Sequence, residues 1–194
     1  MKKIIFTLIA FFVASGITFG QSDKREAQRQ SQLPTDRSAM MTQVPLINEV
    51  RHEVLMVPSY GVFDWIEFQV SGEGTVRLNG QVAQPTTKSN AAARVGKIPG
   101  VTQVNNQIHV LPLSPMDDQL RRRVYRAVYN FDSPLYRYSI QAVPPIHIIV
   151  DGGKVTLKGI VANKSDSNFA NIAANGVTDV FKVMNELQIE PAVR

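Results

Sequence analysis

The chain has 194 residues, 44% of them hydrophobic, a formal net charge of +5 and no cysteine. Without thiols there is no disulfide framework and no cysteine for a metal or a lipid anchor. The charge excess is too mild for nucleic acid, whose binding relies on a dense basic footprint.

Residues 1–20 read as a secretory signal: Lys2 and Lys3, an apolar run from Ile4 to Val13, then small residues ending in Thr18-Phe19-Gly20 before Gln21. The uncharged stretch from Ile4 to Gly20 sits at the short limit of a membrane span, so an uncleaved anchor is the alternative. The small residues near Gly20 favour cleavage, and the expected location is the periplasm. Loss of the leader removes two cations and leaves 19 basic against 16 acidic residues. Residues 21–42 are polar with scattered apolar residues, which predicts a tether too poor in apolar surface to offset its ordering entropy.

The first domain is expected over 43–112. Ile47, Val50 and Val54 share one face of a helix starting near Leu46, which Pro58 ends. Ile66, Phe68 and Val70 alternate with Glu67 and Gln69, the period of a half-buried strand. The Gly72-Glu73-Gly74 turn then leads into the strand GTVRLNGQV, Gly74 to Val82. A helix follows with Ala91, Val95 and Ile98 inward and Thr86 or Thr87 as its cap. A last strand is predicted from Val101 to Val110.

The chain then writes the unit again, over 114–190. GKVTLKGIV, Gly153 to Val161, matches the first strand at five of nine positions with an offset of 79. The offset continues ungapped, pairing Ala91 with Ala170, Ile98 with Val177, Val104 with Val183, Asn106 with Asn185 and Val110 with Ile189. Two copies of one small domain are the reading, each ordered helix, strand, strand, helix, strand. The fold class is α+β, each copy a three-stranded mixed sheet with two helices on one face. Gly80 and Gly159 occupy core-facing strand positions, where a helix crossing close over the missing side chain is the expected neighbour. The second copy's first helix opens with Ser114-Pro115-Met116-Asp117, a capping order, and its second helix has Asn163 or Ser165 as cap.

The copies disagree in two places. Where the first has Glu67, Gln69 and Ser71, the second has Ile146, Ile148 and Val150, so PPIHIIV is apolar on both faces and needs a cover. Either the other domain or the loop from Asn130 to Val143 supplies it, or an external partner does. The second place is RRRVYRAVYNFDSPLYRYSIQ, where arginines interleave with four of the protein's five tyrosines. Arginine grips phosphate in two-pronged fashion and tyrosine suits a lipid headgroup boundary. Arg122, Arg123, Arg126, Tyr129, Tyr136 and Arg137 are the candidate lipid- or partner-binding residues. A solvated helix face, with arginines paired to Asp117 and Asp118 and Tyr125 and Tyr129 inward, is the competing reading.

Catalytic and metal chemistry find no support in the spacing. His52, His109 and His147 fall in different elements, no serine sits in a nucleophile elbow, and the glycine turns match no nucleotide loop. No enzyme, cofactor, metal or small-molecule substrate is expected. Asn106 and Asn185, at matching strand positions, read as amides that satisfy buried backbone groups.

VTLKG after a glycine hairpin, followed by a helix ending in IPGVTQVNN or VTDVFKVMN, resembles the BON domain family, found singly or in tandem in bacterial envelope and osmotic-stress proteins. The resemblance runs from Leu46 to Ile189 and is carried by Gly80, Gly159, Val101, Val104, Asn106, Val180, Val183 and Asn185. It implies the fold above and a non-enzymatic module at anionic phospholipid surfaces that supports envelope integrity or osmotic-stress tolerance. An envelope protein partner without a lipid ligand is the alternative. Some tandem members are lipoproteins; this sequence departs from them in lacking the cysteine, which argues against direct anchoring.

Overall fold

The computed structural model describes residues 44–191; the expected signal and tether lie outside the described residues. The first copy begins with α1 (44–55), whose Val50 and Val54 are buried, followed by the buried Val57. A connector, residues 56–64, leads to β1 (Trp65–Val70), which pairs antiparallel with β2 (Thr75–Val82). The helix α2 (Pro85–Val95) crosses over, and β3 (Gln103–Asn106) and β4 (His109–Val110) both return parallel to β2. The second copy repeats this with α3 (Pro115–Val128), a short α4 (Tyr136–Ser139), β5 (Ile146–Asp151), β6 (Lys154–Val161), α5 (Lys164–Asn175) and β7 (Lys182–Ile189). Here β5 is antiparallel and β7 parallel to β6. The fold is α+β in two tandem domains.

The local chemistry explains most boundaries. Ser114 caps α3 by accepting from the Asp117 amide at 3.2 Å, and Asn163 caps α5 by accepting from the Asp166 amide at 2.9 Å. In α2 the expected threonine cap is not used: Gln84 holds that position without a side-chain bond, Pro85 opens the helix, and Thr87 is buried with its hydroxyl 2.9 Å from Ser59 Oγ.

Two expectations need correction. The neighbours of Gly80 and Gly159 are strands, not helices. A Cβ would lie 1.9 Å from the Trp65 carbonyl oxygen at Gly80 and 1.8 Å from that of Pro145 at Gly159, and the φ angles are +125° and +124°. The glycines therefore let the adjacent strand's backbone approach and adopt a conformation that side chains disfavour. The strand predicted from Val101 to Val110 is divided at Gln107 and Ile108. There Asn106 turns its side chain back onto the chain, accepting from the Ile108 amide at 3.2 Å and donating to the Lys88 carbonyl at 3.0 Å. Asn185 repeats the clamp, accepting from Leu187 at 3.2 Å and donating to the Ser167 carbonyl at 3.1 Å. Each asparagine fixes its last strand to the crossover helix.

Each copy has its own core, and the first inserts a piece of itself into the second. Val62 and Phe63 pack against the second core, with Phe63 edge-on to Tyr125 at 6.2 Å. The Val62 carbonyl accepts from the Ile148 amide at 2.8 Å, closing the free edge of β5. Asp64 anchors the connector, accepting from Gly61 at 3.0 Å and from Ala83 at 2.7 Å. Burial pushes its carboxyl pKa up; those two amides and the nearby Arg121 oppose the shift.

The outward faces of the two sheets meet. His147 lies between Tyr60 and Trp65, with ring centroids 5.6 and 5.0 Å away, and Lys158 reaches Glu67 at 3.4 Å. His147 and Ile149 are thereby 5% and 2% exposed. The apolar strand PPIHIIV is covered by the other domain, which leaves that face no room for an external partner.

Candidate functional site

α3 and the loop after it carry the arginine and tyrosine residues, and the structure sorts them. α3 buries Leu120, Val124 and Val128 against the second core, so residues four apart share one side of the helix and Arg122 and Arg126 share the rim. Arg121 points inward and is 4% exposed; it pairs with Asp118 and donates to the Val150 carbonyl at 2.8 Å. Asp117 has a different task from the expected arginine pairing. Its two oxygens accept from Gly152 at 3.0 Å and Gly153 at 2.9 Å, tying α3 to the hairpin turn.

Three of the six candidate residues are engaged within the protein. Arg123 pairs with Asp179 at 2.9 Å. Arg137 pairs with Asp166, donates to the Pro134 carbonyl at 2.8 Å, and lies over the Tyr138 ring at 4.8 Å. Tyr129 is buried, donating from its hydroxyl to the Ile146 carbonyl at 2.7 Å and accepting from the Ile146 amide at 3.2 Å. Burial pushes its phenol pKa up. It works as a strand clamp, which corrects its assignment to a binding surface. Tyr138 is similar, donating to Asp166 at 2.7 Å and accepting from Ala162 at 3.0 Å.

Arg122, Arg126 and Tyr136 remain open. Arg122 and Arg126 stand one turn apart on α3, both exposed, and neither has a carboxylate partner among the described residues. They border a cleft of about 510 Å³ whose apolar lining includes Val62, Phe63, Tyr125, Ala142 and Pro144. Beyond it, Tyr136 stacks edge-on with Phe131 at 5.0 Å, and Phe131 and Ile140 are 76% and 77% exposed. The site thus combines two exposed guanidinium groups, an apolar-lined cleft and apolar side chains on the adjoining loop.

Four contributors escaped the sequence reading. Phe131 and Ile140 lie inside the stretch it singled out, but attention to tyrosine passed over them. Val62 and Phe63 belong to the other copy, and nothing in their local pattern points to α3. His147 sits at the domain seam, apart from this site, and burial pushes its pKa below the ordinary 6.5.

These features define a two-domain α+β protein with a cationic, apolar-lined cleft at the seam. The family model described as BON domain matches residues 62–112 and 137–191, more than half of the chain, so the chain belongs to the BON domain family, in tandem form. The matched ranges hold the strands and crossover helix of each copy and leave out α1 and α3. No curated protein matches the chain. Among solved structures, it is similar to CdsD, a structural protein of the type III secretion system of Chlamydia trachomatis. Identity is 14%, TM-score 0.28, with coverage of 76% of this chain and 93% of that one. A structure of the CdsD C-terminal domain is similar at 16% identity and TM-score 0.29, covering 75% of this chain and 98% of that one.

Proposed function

We propose that the protein is a non-enzymatic, exported envelope protein that attaches weakly and reversibly to anionic phospholipid through α3 and the loop that follows. The observation that carries this is the pair Arg122 and Arg126 at the rim of the apolar-lined cleft. Guanidinium groups one turn apart suit lipid phosphates, while Phe131 and Ile140 suit the headgroup boundary. Each arginine near an anionic surface contributes about 1 kcal/mol. A partly inserted large apolar side chain adds ~1–2 kcal/mol. Such a sum gives peripheral, salt-sensitive binding, not a permanent anchor. In the periplasm this attachment would serve envelope integrity under osmotic stress.

Cosedimentation with vesicles containing anionic phospholipid, at low and high salt, tests the reading. Wild type should pellet with anionic but not zwitterionic vesicles, and less at high salt. An Arg122→Glu, Arg126→Glu variant should stay in the supernatant; equal behaviour of the two proteins would contradict the proposal. The exposed Phe131 and Ile140 also suit an envelope protein partner, the second reading, which capture of one partner irrespective of lipid would favour.

A further inference from the structure

The second sheet closes one of its edges and leaves the other open. At β5 the outer amide of Ile148 is satisfied by Val62 of the connector, and five of the strand's six residues are buried. At β7 no residue is buried along all eight positions, and among the described residues no other strand lies against its outer side. The first copy gives a control, because its corresponding strand is broken into β3 and β4. The side chains differ in the same sense. Phe181 and Met184, 83% and 36% exposed, stand where the first copy has Thr102 and Asn105.

The register identifies what fits this edge. The Glu190 amide donates to the Val161 carbonyl at 2.8 Å, and strand alternation then turns the even-numbered backbone groups toward β6 and those of Val183, Asn185 and Leu187 outward. Asn185 already occupies the Leu187 amide with its own side chain. The Val183 and Asn185 positions lie either side of Met184, the one point about which the strand complements itself. Turned antiparallel about Met184, a second β7 sets Val183 against Asn185 in reciprocal main-chain pairs. The same turn places Lys182 of each chain opposite Glu186 of the other, and the two Met184 side chains meet on the axis.

We propose that the open β7 edge is a homodimer seam, in which two copies of this chain pair antiparallel about Met184 and extend the second sheet across the axis. Unpaired strand edges are templates for further strands, and an apolar residue flanked by opposite charges at matched spacing selects a copy of itself. Opposite-charge cross-strand pairs each contribute a few tenths of a kcal/mol up to about 1 kcal/mol, so the charge pattern sets register while backbone pairing supplies the hold.

Sedimentation velocity of the purified full chain, without lipid and over a concentration series, is the test. Wild type should show reversible dimerisation. Lys182→Glu or Glu186→Lys alone should weaken it roughly tenfold, about 1.4 kcal/mol. The double exchange Lys182→Glu with Glu186→Lys should restore it. Met184→Lys, which leaves the internal Lys158 to Glu186 pair at 2.9 Å untouched, should also weaken it. All three positions are exposed, so the variants should fold. A monomer at every concentration, or a double exchange no stronger than the single changes, overturns the proposal.

Discussion

The two halves agree in their hairpins and clamps and disagree in their first helices and outer faces. Gly80 and Gly159 have the same φ to within a degree, and Asn106 and Asn185 hold the same kind of backbone partners. In contrast, α1 presents Arg51 and Glu53 to solvent or to a salt bridge with Arg94 at 2.9 Å, while α3 presents beside a cleft two arginines that have no carboxylate partner among the described residues. Ile66 and Ile146 hold the same place opposite Gly80 and Gly159, so the exposed Glu67 of the first copy has His147 as its counterpart, and His147 is buried at the seam. What both halves share builds the domain, and what only one has joins the domains or stays open at the surface.

The largest effects should come from the shared positions and be matched between copies. Gly80→Ala and Gly159→Ala each force a Cβ onto a neighbouring carbonyl at a disfavoured φ, and ~3–5 kcal/mol of stability should be lost in urea titrations. A large loss at one glycine and none at the other would break the equivalence. Asn106→Ala and Asn185→Ala strand one amide and one carbonyl each, and should cost about 1–3 kcal/mol by the same titration. Phe63→Ala, which empties a part-buried site in the other copy's core, should cost about 2 kcal/mol and loosen the second domain's hydrogen-exchange protection more than the first's.

The smallest effect is a pH dependence belonging to one copy alone. His147 is buried and its pKa is depressed, so the unfolded chain binds the proton more readily than the folded one. Stability from this residue is full above the unfolded value of 6.5 and falls as pH drops below it, by at most about 1.4 kcal/mol per pH unit. Asp64 works with the opposite sign, because its pKa is raised above 3.8 by burial and so favours the folded state as pH falls. Between about pH 7 and 5.5, melting temperatures should therefore fall for wild type and stay flatter for His147→Phe, which removes the titrating ring.

The repeat made the fold legible. One ungapped offset of 79 places β2 with β6, the crossover helices and the paired asparagines. It does not reach back to β1 and β5: Ile146, Ile148 and Val150 stand where the first copy has Ile66, Phe68 and Val70, not Glu67, Gln69 and Ser71, because the turn between β5 and β6 is shorter than that between β1 and β2. The neighbours of Gly80 and Gly159 were not legible, since a missing side chain announces close approach without saying by what. The seam was hidden for a related reason: Val62 and Phe63 carry no periodic signal, and their partners lie in the other copy. The arginine cluster was visible as a cluster, yet its members look alike in one dimension. Arg123 finds Asp179 56 residues away and Arg137 finds Asp166 29 residues away, contacts that only folding creates. Tyr129 misled for the same reason, because its clamp on Ile146 spans 17 residues.

Vesicle binding by two charge-matched variants tests most directly whether function lies where the copies differ. One is Arg122→Glu, Arg126→Glu in the second copy; the other is Arg51→Glu, Arg77→Glu in the first, whose arginines are also exposed. Both lower the net charge equally, so a general attraction would treat them alike. The first variant should lose cosedimentation with anionic vesicles and the second should keep most of it. Equal loss in both, or binding that survives in the first, would contradict the account.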